Sequence, residues 1–211
     1  MTTSPTFHVR PAGKSPTDAQ FFIDAFDSTL PYLASIGSEG MWGLEPFSKR
    51  EGFAQETTEQ VEQSQGLRPT PDGKVLKVLI CEAELPDKDH QDDLPEMAYL
   101  RTETDSQGSG ENRSRQFLSV GAAMVREDWV PSYIEKQEHL GFGKRDAAAT
   151  THNARAGFVY LEVMVTDCRP GEYRHGAGAA LLRGIKEYVA LRGKDTIYVD
   201  AWAGNGEKLS R

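Results

Sequence analysis

A strand, a glycine-opened helix and a second strand follow one another between residues 158 and 202, and this order constrains the fold more than any other stretch. Residues 158–165, F-V-Y-L-E-V-M-V, are apolar at nearly every position, as in a strand covered on both faces. Leu181, Leu182, Ile185, Tyr188 and Val189 then fall at i, i+1, i+4, i+7 and i+8, which makes one apolar stripe on a helix from about 177 to 192. Residues 196–202 read as a further strand. A strand that leads through one helix to another strand returns by a crossover, so part of the sheet is expected to be parallel.

Upstream, residues 7–10 alternate apolar and polar like a short first strand. Ser15-Pro16-Thr17-Asp18 resembles a helix start, and Phe21, Phe22, Ala25, Phe26 and Leu30 recur at helical spacing, so a helix is expected over 16–29. Residues 37–43 form a glycine-punctuated loop carrying Met41 and Trp42, and 54–65 a mostly polar helix. Residues 75–81 and 117–125 are apolar strands, whereas 86–93 and the low-complexity run 102–115 are too polar to force into regular structure; the second is expected to be a mobile tip. An insertion over 126–156 mixes Trp129, Tyr133, Ile134 and Phe142 with charges, and reads either as a lid over a site or as a dimer surface or decoration. The whole, residues 1–211, is expected to be one domain of the α/β (α+β) class with a mixed sheet flanked by helices.

Composition excludes several functions. Acidic residues number 32 against 24 basic, a net charge of -8, so nucleic acid is not expected as a partner, because phosphate binding wants a basic face. No apolar run approaches the roughly 20 residues that cross a bilayer, and the N-terminus has no apolar signal core, so neither membrane nor secretion is expected. Cys81 and Cys168 then read as free thiols of a cytoplasmic protein, and the sequon at 112–114 as accidental. His8, His90, His139 and His152 are scattered and there is no C-x-x-C, so no metal site is expected; a G-x-S-x-G nucleophile motif is also absent.

The first turn of the 177–192 helix, with the glycine before it, is Gly176-Ala177-Gly178-Ala179-Ala180, where no side chain exceeds a methyl group. A helix start offers unpaired N–H groups and a positive dipole end, and bare residues there let an anion approach. A phosphate or pyrophosphate is the natural guest, with Arg174 and His175 as cationic neighbours. The alternative is that small residues only allow close helix–sheet packing. The dinucleotide fingerprint is not completed, because Leu181 stands at its third glycine, which disfavours NAD or FAD.

Residues 160–167 (Y-L-E-V-M-V-T-D), 172–182 (E-Y-R-H-G-A-G-A-A-L-L) and 197–209 (I-Y-V-D-A-W-A-G-N-G-E-K-L) resemble the central motifs of the GNAT superfamily of acyl-CoA N-acyltransferases. Residues 42–48 are also similar to a stretch of fungal-type members. The resemblance implies a largely antiparallel sheet in which two strands splay to open a cofactor slot. It implies acetyl-CoA as co-substrate, with its pyrophosphate on the amides of His175, Gly176, Ala177, Gly178 and Ala179 and its pantetheine arm beside Met164 and Val165. A small primary amine is the implied acceptor, Glu162 the general base through water, Asp200 a holder of the cationic amine, and Asn205 the family's turn asparagine. From the residues alone, Glu162 and Asp200 also read as solvent-facing strand carboxylates, or Glu162 as the partner of a lysine. With Gly176 and Gly178 as motif glycines, the family's Gln or Arg position falls on Tyr173, with Arg174 one place late; with Gly178 and Ala180 in those places it falls on His175. The family's aromatic segment beyond Leu209, whose tyrosine often protonates the leaving thiolate, is absent from these 211 residues. A non-catalytic CoA binder and a different nucleotide-binding enzyme are the rival expectations, and a homodimer is compatible with all three.

Overall fold

The apolar runs of the sequence become the inner strands of a single curled sheet. The computed structural model describes residues 5–86, 94, 98–105, 113–137 and 157–207. Its strands are β1 (Thr6–Pro11), β2 (Leu76–Glu84), β3 (Leu100–Asp105), β4 (Arg113–Glu127), β5 (Phe158–Thr166) and β6 (Thr196–Val199). The order is β1-β2-β4-β5-β6, with β3 also paired to β4. Every pairing is antiparallel except β5 with β6, which the intervening crossover makes parallel. The result is a mixed, mostly antiparallel α+β fold.

Helices α1 (Asp18–Ser35) and α2 (Phe53–Ser64) cover one face and α4 (Ala177–Leu191) the other; α3 (Ser132–Glu135) and α5 (Gly204–Glu207) are single turns. Phe21, Phe22, Phe26, Val78, Ile80 and Val165 form the core under α1 and α2. Leu79, Cys81, Val159, Leu181, Ile185 and Val189 form the core under α4. Gly184 lets α4 lie hard against β1, since a Cβ there would stand 2.5 Å from Val9 Cγ1.

Two bulges control which face each side chain reaches. Ser119 and Gly121 of β4 pair with successive residues Glu82 and Cys81, so Val120 is the extra residue. Val163 and Leu161 of β5 pair with successive residues Met124 and Val125, so Glu162 is the extra one. A bulge reverses the in–out alternation beyond it. Accordingly Val159 and Leu161 face the α4 core, while Val163 and Val165, of the same parity, face α1 and α2.

Four expectations are corrected. The helix over 16–29 continues to Ser35 through Pro31, because Leu30 and Leu33 carry the buried stripe past the proline. Residues 102–105 and 113–115, expected in a mobile tip, lie in the arms β3 and β4. The polar run is regular because Arg101 on the edge strand donates from Nε to the fully buried Glu82 at 2.9 Å. Glu82 also takes Arg10 at 2.7 Å, and Arg10 forks onto the buried Asp18 at 2.7 and 2.8 Å, so these three buried charges are paired. β6 ends at Val199 rather than at 202, leaving Asp200 beyond the strand. The insertion over 126–156 begins inside β4 and includes α3. Its residues 138–156, the acidic stretch 87–93 and residues 106–112 lie outside the described residues, as do Asn112 of the sequon, His90, His139 and His152.

Candidate functional site

β5 outlasts its parallel neighbour. The ladder with β6 runs from Phe158 opposite Thr196 to Leu161 opposite Val199 and stops, while β5 continues to Thr166. Beyond Leu161 that edge of β5 faces no paired strand among the described residues. It borders a cleft of about 1060 Å³ that residues 161–166 line directly. The five residues of strand from Glu162 to Thr166 span about 13 Å, four rises of about 3.3 Å.

The far end of this edge meets the start of α4. Asp167 donates its backbone N–H to Val120 O at 2.9 Å, and Arg169 forks onto Asp167 at 2.8 Å and reaches Asp24 of α1 at 3.2 Å. A short 3-10 turn, Gly171–Arg174, then delivers the chain to Gly176. Gly176 has φ 98°, a left-handed conformation suited to glycine, and caps the helix without a side-chain hydrogen bond. The helical ladder opens with Ala180 N–H donating to Gly176 O at 3.0 Å, so the N–H groups of 177–179 precede it.

The small residues of this turn divide by role. Ala177 and Ala180 are buried in the α4 core, where close packing accounts for their size. Gly178 is different: a Cβ there would meet only Thr166 Cγ2, at an ordinary 3.9 Å. Nothing inside the fold demands a glycine at 178. Ala179 is exposed, as are His175 and Gly176, and Arg174 is half-buried and lines the cleft.

At the other end, where β6 parts from β5, stand both candidate carboxylates. Glu162 occupies the bulge and accepts from Arg126 Nε at 2.6 Å. Its partner is therefore an arginine, not a lysine; Arg126 also stacks over Trp129, 4.5 Å from the ring centre. Asp200 is exposed and accepts from Tyr133 Oη at 2.7 Å and from Tyr160 Oη, the two hydroxyls lying 3.4 Å apart. Burial first, and donation to the Asp200 carboxylate besides, hold both phenols above their ordinary pKa, so they stay protonated donors.

Of the residues anticipated from sequence, Glu162, Met164, Val165, Arg174 and Asp200 all line the one cleft. Gly178 adjoins it through Thr166. Asn205 falls in α5, and its side chain lies outside those described. Sequence reasoning missed Arg126, Tyr160 and the wall formed by Phe22, Phe26 and Tyr32 of α1 with Trp202, and placed Tyr133 only in the insertion read as a lid or decoration. Only Tyr160, two positions before Glu162, carried a local signal. Among the described residues no group of three or more His, Cys, Asp or Glu could hold a metal ion, and no helix is long and apolar enough to cross a membrane.

No protein-family model matches the chain, and no curated protein matches it in sequence. Among solved structures it is similar to the tetramutant of the BH1408 protein from Bacillus halodurans, with 12% identity and a TM-score of 0.44 over 97% of this chain and 88% of that chain.

Proposed function

We propose that this protein is an N-acetyltransferase of the GNAT type, which moves an acetyl group from acetyl-CoA to the primary amine of a small molecule. The observation that carries the reading is the edge of β5 beyond Leu161, unpaired among the described residues, set in a cleft and running toward a bare helix start. Residues 162–166 offer main-chain groups to a pantetheine arm as a neighbouring strand would, in the manner of added-strand recognition. The N–H groups around Ala177, with Arg174 nearby, receive a pyrophosphate, and the open Cβ position of Gly178 leaves room for it. A main-chain N–H of β5 near Met164 or Val165 stabilises the oxyanion as the amine attacks the thioester carbonyl; collapse of the adduct breaks the C–S bond and releases CoA thiolate, which takes a proton from water. The amine must shed a proton, since an ammonium has no lone pair; Glu162 takes it through water, and Arg126 holds that carboxylate in place.

A CoA-binding protein without catalysis is the second reading. It is favoured by the engagement of both carboxylates, Glu162 by Arg126 and Asp200 by two tyrosines. Calorimetric titration with acetyl-CoA, CoA and ATP, followed by thiol release over an amine panel, separates the possibilities. The proposal expects acetyl-CoA to bind, an amine to accelerate thiol release, and Glu162→Gln to slow that release about a hundredfold with acetyl-CoA affinity kept. Binding without amine-dependent release would establish the second reading, and binding of ATP alone would refute both.

A further inference from the structure

Resting on that reading, we infer that the acceptor is a monoamine with an apolar or aromatic body, its ammonium received between Glu162 and Asp200. The cleft has two unlike ends. Its one cationic lining residue among those described, Arg174, stands at the α4 end, and its carboxylates are Glu56, Glu162 and Asp200. Charge complementarity therefore assigns an anionic guest to the first end and a cationic one to the second.

The wall of the cleft is aromatic rather than charged. Phe26 lies at the centre of a ring cluster, with Trp42 at 5.3 Å, Phe47 at 4.7 Å and Phe53 at 5.3 Å between centroids. Trp42 and Phe53 are only half-buried, although they pack on this core, and both line the cleft with Met41 and Tyr32. Such rings suit an apolar body and the methylenes next to an ammonium.

Two common amine classes fit poorly. A second ammonium on a diamine would meet only Glu56, an exposed carboxylate screened by water, and would gain little there for the hydration lost against the aromatic wall. A zwitterionic amino acid would bring its carboxylate toward Glu162 and Asp200, where the guanidinium of Arg126 is already engaged by Glu162. A monoamine avoids both costs.

Matched pairs test this on the full chain: 2-phenylethylamine against phenylalanine, and hexylamine against 1,6-diaminohexane. Binding is read by tryptophan fluorescence with and without CoA, and turnover by thiol release from acetyl-CoA. Each monoamine should bind at least about tenfold more tightly than its partner, and Trp42→Ala should weaken 2-phenylethylamine about tenfold with acetyl-CoA affinity unchanged. Asp200→Asn should weaken both monoamines and narrow the gap to phenylalanine. A thermal melt checks each variant, and Trp42→Leu, which keeps apolar bulk, replaces the alanine variant if that one unfolds. Equal or tighter binding of the diamine or the amino acid overturns the inference. So does a Trp42 variant that alters only preference among acyl-CoA chain lengths, because the wall would then hold the acyl group. Discrimination among amines without any acetyl-CoA binding would sink the acetyltransferase reading and leave the amine site standing; the converse result would do the reverse.

Discussion

Replacing Gly178 and Gly184 with alanine, one at a time, should move stability in opposite directions, although both lie in α4. Alanine is favoured over glycine in a helix by about 0.5–1 kcal/mol. At Gly178 the new methyl meets only Thr166 Cγ2 at 3.9 Å, so that gain is realised in full. At Gly184 the methyl would stand 2.5 Å from Val9 Cγ1 and 2.7 Å from Val9 Cβ, inside any tolerable contact. Overpacking of this kind costs about 1–3 kcal/mol, which leaves a net loss of about 1–2 kcal/mol after the helical gain. For a chain of this size each kcal/mol shifts Tm by about 2–4 °C. Gly178→Ala should therefore raise Tm by about 1–4 °C and Gly184→Ala lower it by about 2–8 °C. Differential scanning calorimetry supplies the readout, and Val9→Ala combined with Gly184→Ala should recover most of the loss, which a double-mutant cycle measures. Equal signs for the two glycines, or no coupling to Val9, would refute the claim that packing requires one glycine and not the other.

Three further outcomes follow from the same geometry. Gly178→Leu should keep the fold but cover the helix amides, raising the Kd of acetyl-CoA about 30- to 150-fold, the equivalent of losing about 2–3 kcal/mol of charge-assisted hydrogen bonding, as calorimetry would measure. Glu84, held by Arg115 first and by His8 as well, has its pKa lowered to about 2. Its unfolded-state pKa is higher, at about 4.3, so its stabilisation is complete above that value and is lost as pH falls through the folded one. Glu84→Gln should accordingly flatten the dependence of stability on pH between about 5 and 2, followed by urea melts at stepped pH. Cys81 is fully buried, and burial, with Glu82 adding to it, pushes its thiol up to about 12, whereas Cys168 is half-buried and raised less. A native-state thiol titration at pH 8 should label Cys168 slowly and leave Cys81 unreacted until the chain unfolds.

The sequence exposed those elements whose environment is uniform along their length. β2, the second half of β4, and β5 are buried on both faces and therefore read as unbroken apolar runs. β3 did not, because an edge strand keeps its polar residues and satisfies them through Arg101 and its pairing with β4. The candidate carboxylates and the helix start were visible because each stands out against its neighbours: Glu162 among apolar residues, and Gly176 and Gly178 at the mouth of a helix. Their partners were not, since Arg126 reaches Glu162 from 36 residues away and Tyr133 reaches Asp200 from 67. Contacts of that range depend on strand register, and the register depends on bulges that no local pattern announces.

The bulge gives Glu162 a second significance, separate from its chemistry. Substituting it changes a functional group, whereas deleting it would remove the extra residue and leave Leu161 and Val163 successive, in register with Val125 and Met124. Val163 and Val165 would keep facing α1 and α2, and Met164 the α4 side, so the strand would become regular with neither interior mismatched. A strand shortened by that one residue should thus keep its core while losing bulge and carboxylate together, and only a substitution at the same position separates the two.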